Sequence, residues 1–207
     1  AHAGAGEIHL RPILDLKKSK DVDEFYKISE ASAKLVKKYN GSLSGEHGDG
    51  RLRAAFIPLM VGQENYDLFK RVKAKWDPKG IFNPGKIVDA PPMNSSLRYE
   101  ADLPKREHKT KFDFSQVGGI LPMAEKCNGS GDCRKLPNSG GGTMCPSYQA
   151  TRYEKDTTRG RANTLREFLT KSEKENPFDH PEIKEVMDLC LSCKGCTSEC
   201  PSNVDMA

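Results

Sequence analysis

A single run of cysteines near the end of the chain constrains its fold more than any other feature. Cys190, Cys193, Cys196 and Cys200 are spaced C-x2-C-x2-C-x3-C, and Pro201 follows directly. Two-residue gaps allow three thiolates to reach one iron–sulfur cluster from a tight loop, while the fourth cysteine of such a run usually binds a second cluster. The run therefore predicts an iron–sulfur domain that handles electrons.

A zinc ribbon or a disulfide framework fits this run less well. Zinc ribbons usually have paired C-x2-C units some distance apart, and a disulfide framework needs an oxidising compartment. The chain has seven cysteines, an odd number at cluster spacing. This usage favours a reducing compartment, and the cytoplasm is the default expectation.

An altered copy of the run lies upstream. Cys127 and Cys133 take its first and third places, Ser130 takes the second, and Cys145 supplies the fourth after a glycine-rich insertion. Because fourth cysteines cross over in two-cluster proteins, Cys145 is expected to complete the [4Fe–4S] cluster of the downstream run, leaving Cys200 to the upstream copy. The remaining three thiolates suffice for a three-iron cluster, or for a four-iron cluster with Ser130 as an unusual ligand. They could equally hold nothing, so the sequence predicts one or two clusters.

The composition limits the other possibilities. An apolar content of 36% and a mean hydropathy of −0.69 are low for a compact chain of 207 residues, so either the core is thin or other protein covers part of its surface. Basic residues are scattered rather than gathered in a stripe, which argues against nucleic acid as a partner. No apolar run approaches the length of a transmembrane helix. The chain opens inside a motif and stops just after the last cysteine, so we expect a fragment of a longer protein.

The pattern of apolar residues predicts two parts joined by a linker. Residues 1–90 and 120–207 carry the periodic segments, whereas residues 91–119 are rich in proline, serine and charge. We expect a short strand over residues 8–14 and helices over residues 21–39, 64–76, 158–171 and 181–189. The expected fold class is α+β: a helix-rich first part, followed by an all-α iron–sulfur domain.

Histidine and glutamate residues in the first part form a candidate metal site. His2 and His9 flank a glycine-rich stretch whose bending allows both side chains to converge, and the loop 44–50 presents Glu46 and His47. Two histidines and a glutamate are a common ligand set for a catalytic divalent metal with an open position. His47 is then free to move a proton near neutral pH. The same residues could also be unrelated polar groups in two turns.

Three motifs, taken in order, resemble the C-terminal domain of FAD-linked D-2-hydroxy-acid oxidases and dehydrogenases. They read His-Ala-Gly-x-Gly-x-Ile-His over residues 2–9, Gly-Glu-His-Gly-Asp-Gly over residues 45–50 and Asp-Pro-x-Gly-Ile-Phe-Asn-Pro-Gly-Lys over residues 77–86. With the cysteine-rich module they are similar to the bacterial subgroup that resembles D-2-hydroxyglutarate dehydrogenase and carries a ferredoxin-type domain. The resemblance covers about residues 1–90 and 120–207.

The resemblance implies a mechanism and its residues. His2, His9 and Glu46 are implied ligands of a divalent metal, usually zinc, which holds the hydroxyl and carboxylate of a small 2-hydroxy acid and lowers the hydroxyl pKa. His47 is the implied base, and the α-hydride passes to FAD before the electrons reach the iron–sulfur module and an unknown acceptor. Arg11 lies two residues after His9, where its guanidinium could grip the substrate carboxylate.

The chain also departs from the family pattern. Simpler members carry Asp and Asn where this chain has Ala5 and Glu7, and Asn in place of Arg11. The FAD-binding domain of such enzymes lies upstream and nothing here resembles it, although the turn at Asn83 is expected to pack near the flavin. Alone, the chain is therefore expected to bind no FAD and to be inactive. The alternative function is a non-catalytic electron-transfer or interaction subunit, whose histidine motifs are structural relics.

Overall fold

The computed structural model describes residues 2–104, 106–140 and 142–207, which form two compact units, Ala1–Pro104 and Lys105–Ala207. The α-helices of the described residues are α1 Ser19–Lys38, α2 Ile57–Val61, α3 Gln63–Trp76, α4 Ile120–Glu125, α5 Pro146–Thr151, α6 Thr158–Lys171, α7 Pro181–Met187 and α8 Gly195–Glu199. Short 3-10 turns cover Ala3–Ala5, Arg53–Phe56, Ser115–Val117, Asp132–Arg134, Pro137–Ser139 and Glu154–Asp156. Among the residues that the structure describes, no helix is long and apolar enough to cross a membrane.

Helix α1 confirms the helix predicted over residues 21–39 and begins two residues earlier. Asp21 lies in its first turn and Lys37 in its last turn, where each charge opposes the helix dipole. The helix ends before Asn40, whose φ of 54° is left-handed, and the N–H of Gly41 donates to the carbonyl of Val36. This is the stop that an Asn-Gly pair predicts.

Helix α3 confirms the helix predicted over residues 64–76, and its end is fixed by Asp77. The buried Asp77 carboxylate accepts the backbone N–H groups of Ile81 at 2.8 Å and Phe82 at 2.9 Å. The Lys73 ammonium donates to the same carboxylate at 2.7 Å. Asp77 therefore holds the start of the predicted turn that contains Asn83.

Asp77→Asn is expected to destabilise the chain at neutral pH but not in acid. The Lys73 ammonium, followed by the two backbone N–H groups, holds the pKa of the Asp77 carboxyl below its ordinary value of 3.8. A carboxyl with a lowered pKa stabilises the folded chain above its unfolded pKa and loses that contribution as pH falls through the folded pKa. Urea unfolding at neutral and acidic pH measures the difference, with the more exposed Asp67→Asn as control. A deficit that does not change with pH would contradict the assignment.

The strand predicted over residues 8–14 is wrong. The segment is irregular, and Ile13 is 99% exposed. A strand needs the backbone of a partner strand, and Pro12 lacks an N–H to donate. In the described ranges the only extended pairing is an isolated antiparallel bridge between His2 and Glu7. The chain is helix-rich as expected, but the α+β label is not confirmed.

Two residues of the expected linker, 91–119, are fixed within the two units. Met93, 2% exposed, is part of the first unit's core with Ala33 and Phe56. In the second unit, the guanidinium of Arg106 donates to the carbonyl of Ser172 at 3.0 Å. The apolar Met93 and the long donor side chain of Arg106 thus each attach one point of this segment to its unit.

The second unit is built around α6, which has the predicted bounds 158–171. The hydroxyl of Thr157 accepts the Gly160 N–H at 2.8 Å and caps the helix. Helix α7 confirms the helix predicted over residues 181–189 and ends two residues earlier. The core residues are Ala124, Cys127, Ala162, Leu165, Leu169, Ile183 and Val204.

Candidate functional site

Two histidines and a glutamate converge at the start of the first unit. One donor atom from each of His2, Glu7 and His9 lies within 4.8 Å of the others. The His2 Nδ1 is 3.0 Å from the His9 Nε2 and 3.1 Å from the Glu7 Oε2. The 3-10 turn at Ala3–Ala5 and the left-handed Gly6, with φ of 66°, produce the bend that this convergence needs.

The loop 44–50 brings the other two predicted residues to this group. Glu46 Oε2 lies 3.2 Å from the Nε2 of His2 and 3.6 Å from the Nε2 of His47. A Cβ atom at Gly45 would lie 2.8 Å from the Glu7 Cδ, closer than real Cβ contacts allow. Any side chain at position 45 would therefore displace the end of the Glu7 side chain from its present place.

Glu7 is the functional candidate that the sequence motifs did not single out. Its side chain is only 17% exposed. Its Oε2 is buried and, although close to His2, accepts no hydrogen bond of acceptable geometry in the described structure. Burying a carboxylate oxygen that accepts no hydrogen bond costs free energy of folding unless a cation lies next to it. A signal was present, because Glu7 precedes His9 by two residues and alternate residues of an extended segment share a side.

The donor set fits a divalent metal. Imidazole nitrogens with carboxylate oxygens are ligands that zinc accepts, and imidazole also suits other transition metals. The shared point lies among His2, Glu7 and His9, whereas Glu46 faces the other ring nitrogen of His2. His47, with a side chain that is 74% exposed, remains open to a substrate.

Two further predicted residues are not joined to this group by contacts. Arg11 is exposed and forms no hydrogen bond or ion pair within the described part of the chain. Asn83 is exposed in its turn with a φ of 48°. Both side chains are free to meet a ligand.

In the second unit, Cys145 is held against the downstream cysteine run. The Glu199 carboxylate accepts the N–H of Thr143 at 2.8 Å and the N–H of Met144 at 3.0 Å. A Cβ atom at Gly195 would lie 3.0 Å from the Met144 Cα, so a larger residue would require the backbone at Met144 to give way. A sulfur-rich core lies here, made of Cys133, Met144, Cys145, Tyr148 and Cys196.

Three of the cysteines also share one space with Ser130. Cys127, Cys133 and Cys200 line one small cavity, and Ser130 lines the same cavity. Cys127 and Cys200 are in addition neighbours in the main core of the unit. The serine in the second place of the upstream copy thus faces the same space as the three thiols.

The backbone at Cys145 is strained. Its φ of 56° and ψ of 63° are left-handed, although it is not glycine. Such a conformation persists only where the surroundings determine it, and it is common at functional sites. The Glu199 contacts supply this constraint from the neighbouring residues.

In the apoprotein, Cys193 is expected to react with iodoacetamide at least about tenfold faster than Cys133 or Cys145. Burial raises the pKa of both the Cys133 and Cys145 thiols, and only the thiolate is nucleophilic. Cys193 is exposed. Timed alkylation with peptide mass spectrometry gives the order, and the denatured chain is the control. Faster labelling of Cys145 would contradict its buried placement.

Comparison with known proteins supports both units. Residues 1–87 match the family described as FAD linked oxidases, C-terminal domain, and residues 123–204 match the 4Fe-4S dicluster domain. D-2-hydroxyglutarate dehydrogenases of Pseudomonas putida and Escherichia coli are each 32% identical, over 99% of this chain and 23% of the relative. A D-lactate dehydrogenase of Archaeoglobus fulgidus is 34% identical over 42% of this chain and 19% of the relative.

These matches confirm the resemblance that the motifs indicate. The chain spans about a quarter of the length of the D-2-hydroxyglutarate dehydrogenases that it matches. No solved structure matches.

Proposed function

Because this chain joins an FAD-linked oxidase C-terminal domain to a 4Fe-4S dicluster domain, we propose that it works within a flavin-dependent dehydrogenase of D-2-hydroxy acids. The observation that carries the proposal is the group of imidazoles and carboxylates at His2, Glu7, His9 and Glu46. We propose D-2-hydroxyglutarate or D-lactate as the substrate type. The cysteine usage supports a reducing compartment, the cytoplasm.

We propose His2, His9 and Glu46 as ligands of the divalent metal, with Glu7 as a further donor. Because Glu46 faces the ring nitrogen of His2 that points away from Glu7 and His9, it joins the shared point once the His2 ring turns over. The metal, zinc by our proposal, supplies a Lewis acid that lowers the pKa of the substrate 2-hydroxyl. The imidazole of His47 accepts the hydroxyl proton at a ring nitrogen, since it is exposed beside Glu46. Arg11 binds the substrate carboxylate through two parallel N–H donors.

FAD supplies the acceptor of the α-hydride, and we propose that an upstream domain of the same protein binds most of it. The turn at Asn83 would pack near that flavin. Asp77 holds the turn through Ile81 and Phe82, which keeps its position rigid.

We propose that the cysteines bind two clusters in the crossover arrangement. One cluster is bound by the cysteines gathered around the downstream run: Cys145, Cys190, Cys193 and Cys196. The other is bound by the cysteines that line one cavity with Ser130: Cys127, Cys133 and Cys200. Electrons leave for an acceptor of unknown identity.

The decisive experiment is anaerobic reduction of the FAD-loaded holoenzyme by a panel of 2-hydroxy acids. The D-enantiomers of 2-hydroxyglutarate or lactate are expected to bleach the flavin, whereas the L-enantiomers serve as matched controls. His47→Ala is expected to bind FAD but to lose the bleaching. If no D-2-hydroxy acid bleaches the flavin, the chain is instead an electron-transfer subunit with relic histidine motifs.

Ser130→Cys tests the second cluster. The wild-type chain is expected to hold about seven irons, as one four-iron and one three-iron cluster, and the variant about eight. The added thiolate supplies the missing ligand at the cavity that Ser130 lines. Iron and sulfide analysis with EPR before and after reduction makes the measurement. About four irons in both proteins would contradict the second cluster, and zinc without sulfide would overturn both clusters.

A further inference from the structure

The sulfur of Cys145 lies against the first turn of helix α6. The backbone N–H of Thr158 donates to this sulfur at 2.9 Å, and the Thr158 hydroxyl lies 3.0 Å from it. Arg161, one turn further along the helix, places its Nη1 4.0 Å from the same sulfur. All three residues are buried. The Cys145 sulfur therefore has two hydrogen-bonding groups and a guanidinium around it. A neutral thiol sulfur is only a weak hydrogen-bond acceptor, so this environment suits a thiolate better.

Arg161 is a buried cation whose neutral partners do not balance its charge. Its side chain is fixed by donation to the Val186 carbonyl at 2.8 Å and to the Ser147 hydroxyl at 2.9 Å. Arg161 is 2% exposed, and no carboxylate forms an ion pair with it among the residues that the structure describes. A buried charge of this kind is costly unless an anion lies beside it.

The buried carboxylate of this region does not fill that role. Asp156 is 1% exposed, but its Oδ2 accepts the Thr151 hydroxyl at 2.6 Å and its Oδ1 has no hydrogen-bond partner. The sulfur beside Arg161 is that of Cys145. A thiolate at Cys145, as a cluster ligand must be, would supply the missing negative charge.

We propose that Arg161 is the built-in counter-cation of the cluster bound through Cys145, and that Arg161 and Thr158 together raise the reduction potential of this cluster. The inference rests on the proposed function, since it requires Cys145 to be a ligand. Reduction adds one electron, and thus one negative charge, to the cluster. A nearby cation and hydrogen bonds to a ligand sulfur favour the more negative, reduced form. The amino end of α6 adds its dipole in the same direction.

The two proposed clusters differ in the charged groups that lie beside their ligand sulfurs. Cys133, from the other cluster, faces the same end of α6, where the Arg159 N–H and the Thr157 hydroxyl oppose the effect of burial on the pKa of its thiol. The Arg159 guanidinium also lines the cavity of that cluster, but the Glu154 carboxylate pairs with it at 2.6 Å. Arg161 lies beside Cys145 and has no carboxylate partner among the described residues. The electron is therefore expected to settle on the cluster that Cys145 binds, and loss of Arg161 should affect chiefly one of the two midpoints.

The test is a redox titration of the reconstituted holoprotein, followed by EPR. Arg161→Gln is expected to shift one cluster midpoint to a more negative potential, by at least a tenfold change in the reduction equilibrium, about 59 mV for one electron. Thr158→Val is expected to shift the same midpoint in the same direction. Thr158→Ser, which keeps the hydroxyl, and Arg166→Gln, which removes a charge further along α6, are the matched controls and should leave both midpoints in place.

Each outcome decides. Unchanged midpoints in a loaded Arg161→Gln protein would overturn this inference alone. If Arg161→Gln fails to assemble its cluster, Thr158→Val decides, and an unchanged midpoint there overturns the inference. Equal shifts of both midpoints would overturn the placement of Arg161 at one cluster. A wild-type protein without iron and sulfide would instead overturn the proposed cluster binding itself.

Discussion

His9→Ala is expected to remove the divalent metal from the FAD-loaded holoenzyme and to lower kcat by about a thousandfold or more. His9 Nε2 lies between the Nδ1 of His2, at 3.0 Å, and the Oε1 of Glu7, at 3.6 Å. Loss of this donor leaves the carboxylates without the cation that we propose they share. FAD should be retained, because the upstream domain holds most of it. Metal analysis, flavin absorbance and turnover make the measurement.

Two further variants are compared with His9→Ala. Glu7→Gln keeps the shape of the side chain but removes its charge, and is expected to weaken metal binding by about ten- to a hundredfold. His108→Ala removes a histidine of the second unit, which lies against the Phe178 ring, and should leave metal and kcat unchanged. Normal metal content and kcat in His9→Ala would show that the site is misassigned.

Exchanging one cysteine at a time is expected to delete one cluster at a time. Cys200→Ser should remove the cluster proposed in the cavity that Cys200 shares with Cys127 and Cys133. Cys145→Ser should remove the other cluster, which we propose that Cys145 binds with Cys190, Cys193 and Cys196; Cys133 also lies in the sulfur-rich core beside Cys145, and the variant tests to which cluster Cys145 belongs. EPR spectra and iron content measure the loss, which should be about half of the iron in each variant.

The pattern of loss is what tests the crossover. Each variant is the control for the other, since both remove one fourth-position cysteine that precedes a proline. Two different EPR signals should disappear. Loss of the same signal in both variants would show that Cys145 and Cys200 bind one cluster, contrary to the arrangement that we propose.

Long periodic helices were predictable from the sequence, and short ones were not. Helices α1, α3, α6 and α7 lie within about two residues of their predicted bounds because their apolar residues keep helical spacing over several turns. Helices of five or six residues, such as α2 and α8, offer too few turns for a periodicity to be read. The segment 8–14 failed for a different reason, since a strand depends on a partner that local sequence does not specify.

The candidate sites, too, were predictable from the sequence only in part. Two glycine-rich motifs predicted that His2, His9 and Glu46 could meet, and the structure brings Glu46 to His2 at 3.2 Å. The contribution of Glu7 follows from the local bend between His2 and His9, which the two-residue spacing of Glu7 and His9 indicated but the motifs did not single out. Likewise, the seven cysteines are visible in the sequence, but the Glu199 carboxylate that positions Cys145 acts through backbone N–H groups and leaves no motif.

Gly45 contributes to the proposed metal site of the first unit through the space beside it and not through a donor atom. The space that a methyl group would fill at this position is occupied by the Glu7 carboxyl, with its Cδ only 2.8 Å from where that methyl would stand. One added carbon would therefore push the Glu7 carboxylate, a proposed metal donor, out of its place without removing any donor atom from the sequence. Position 45 therefore belongs to the site although it supplies no donor atom, since the space left by the missing methyl group is where the Glu7 carboxyl lies.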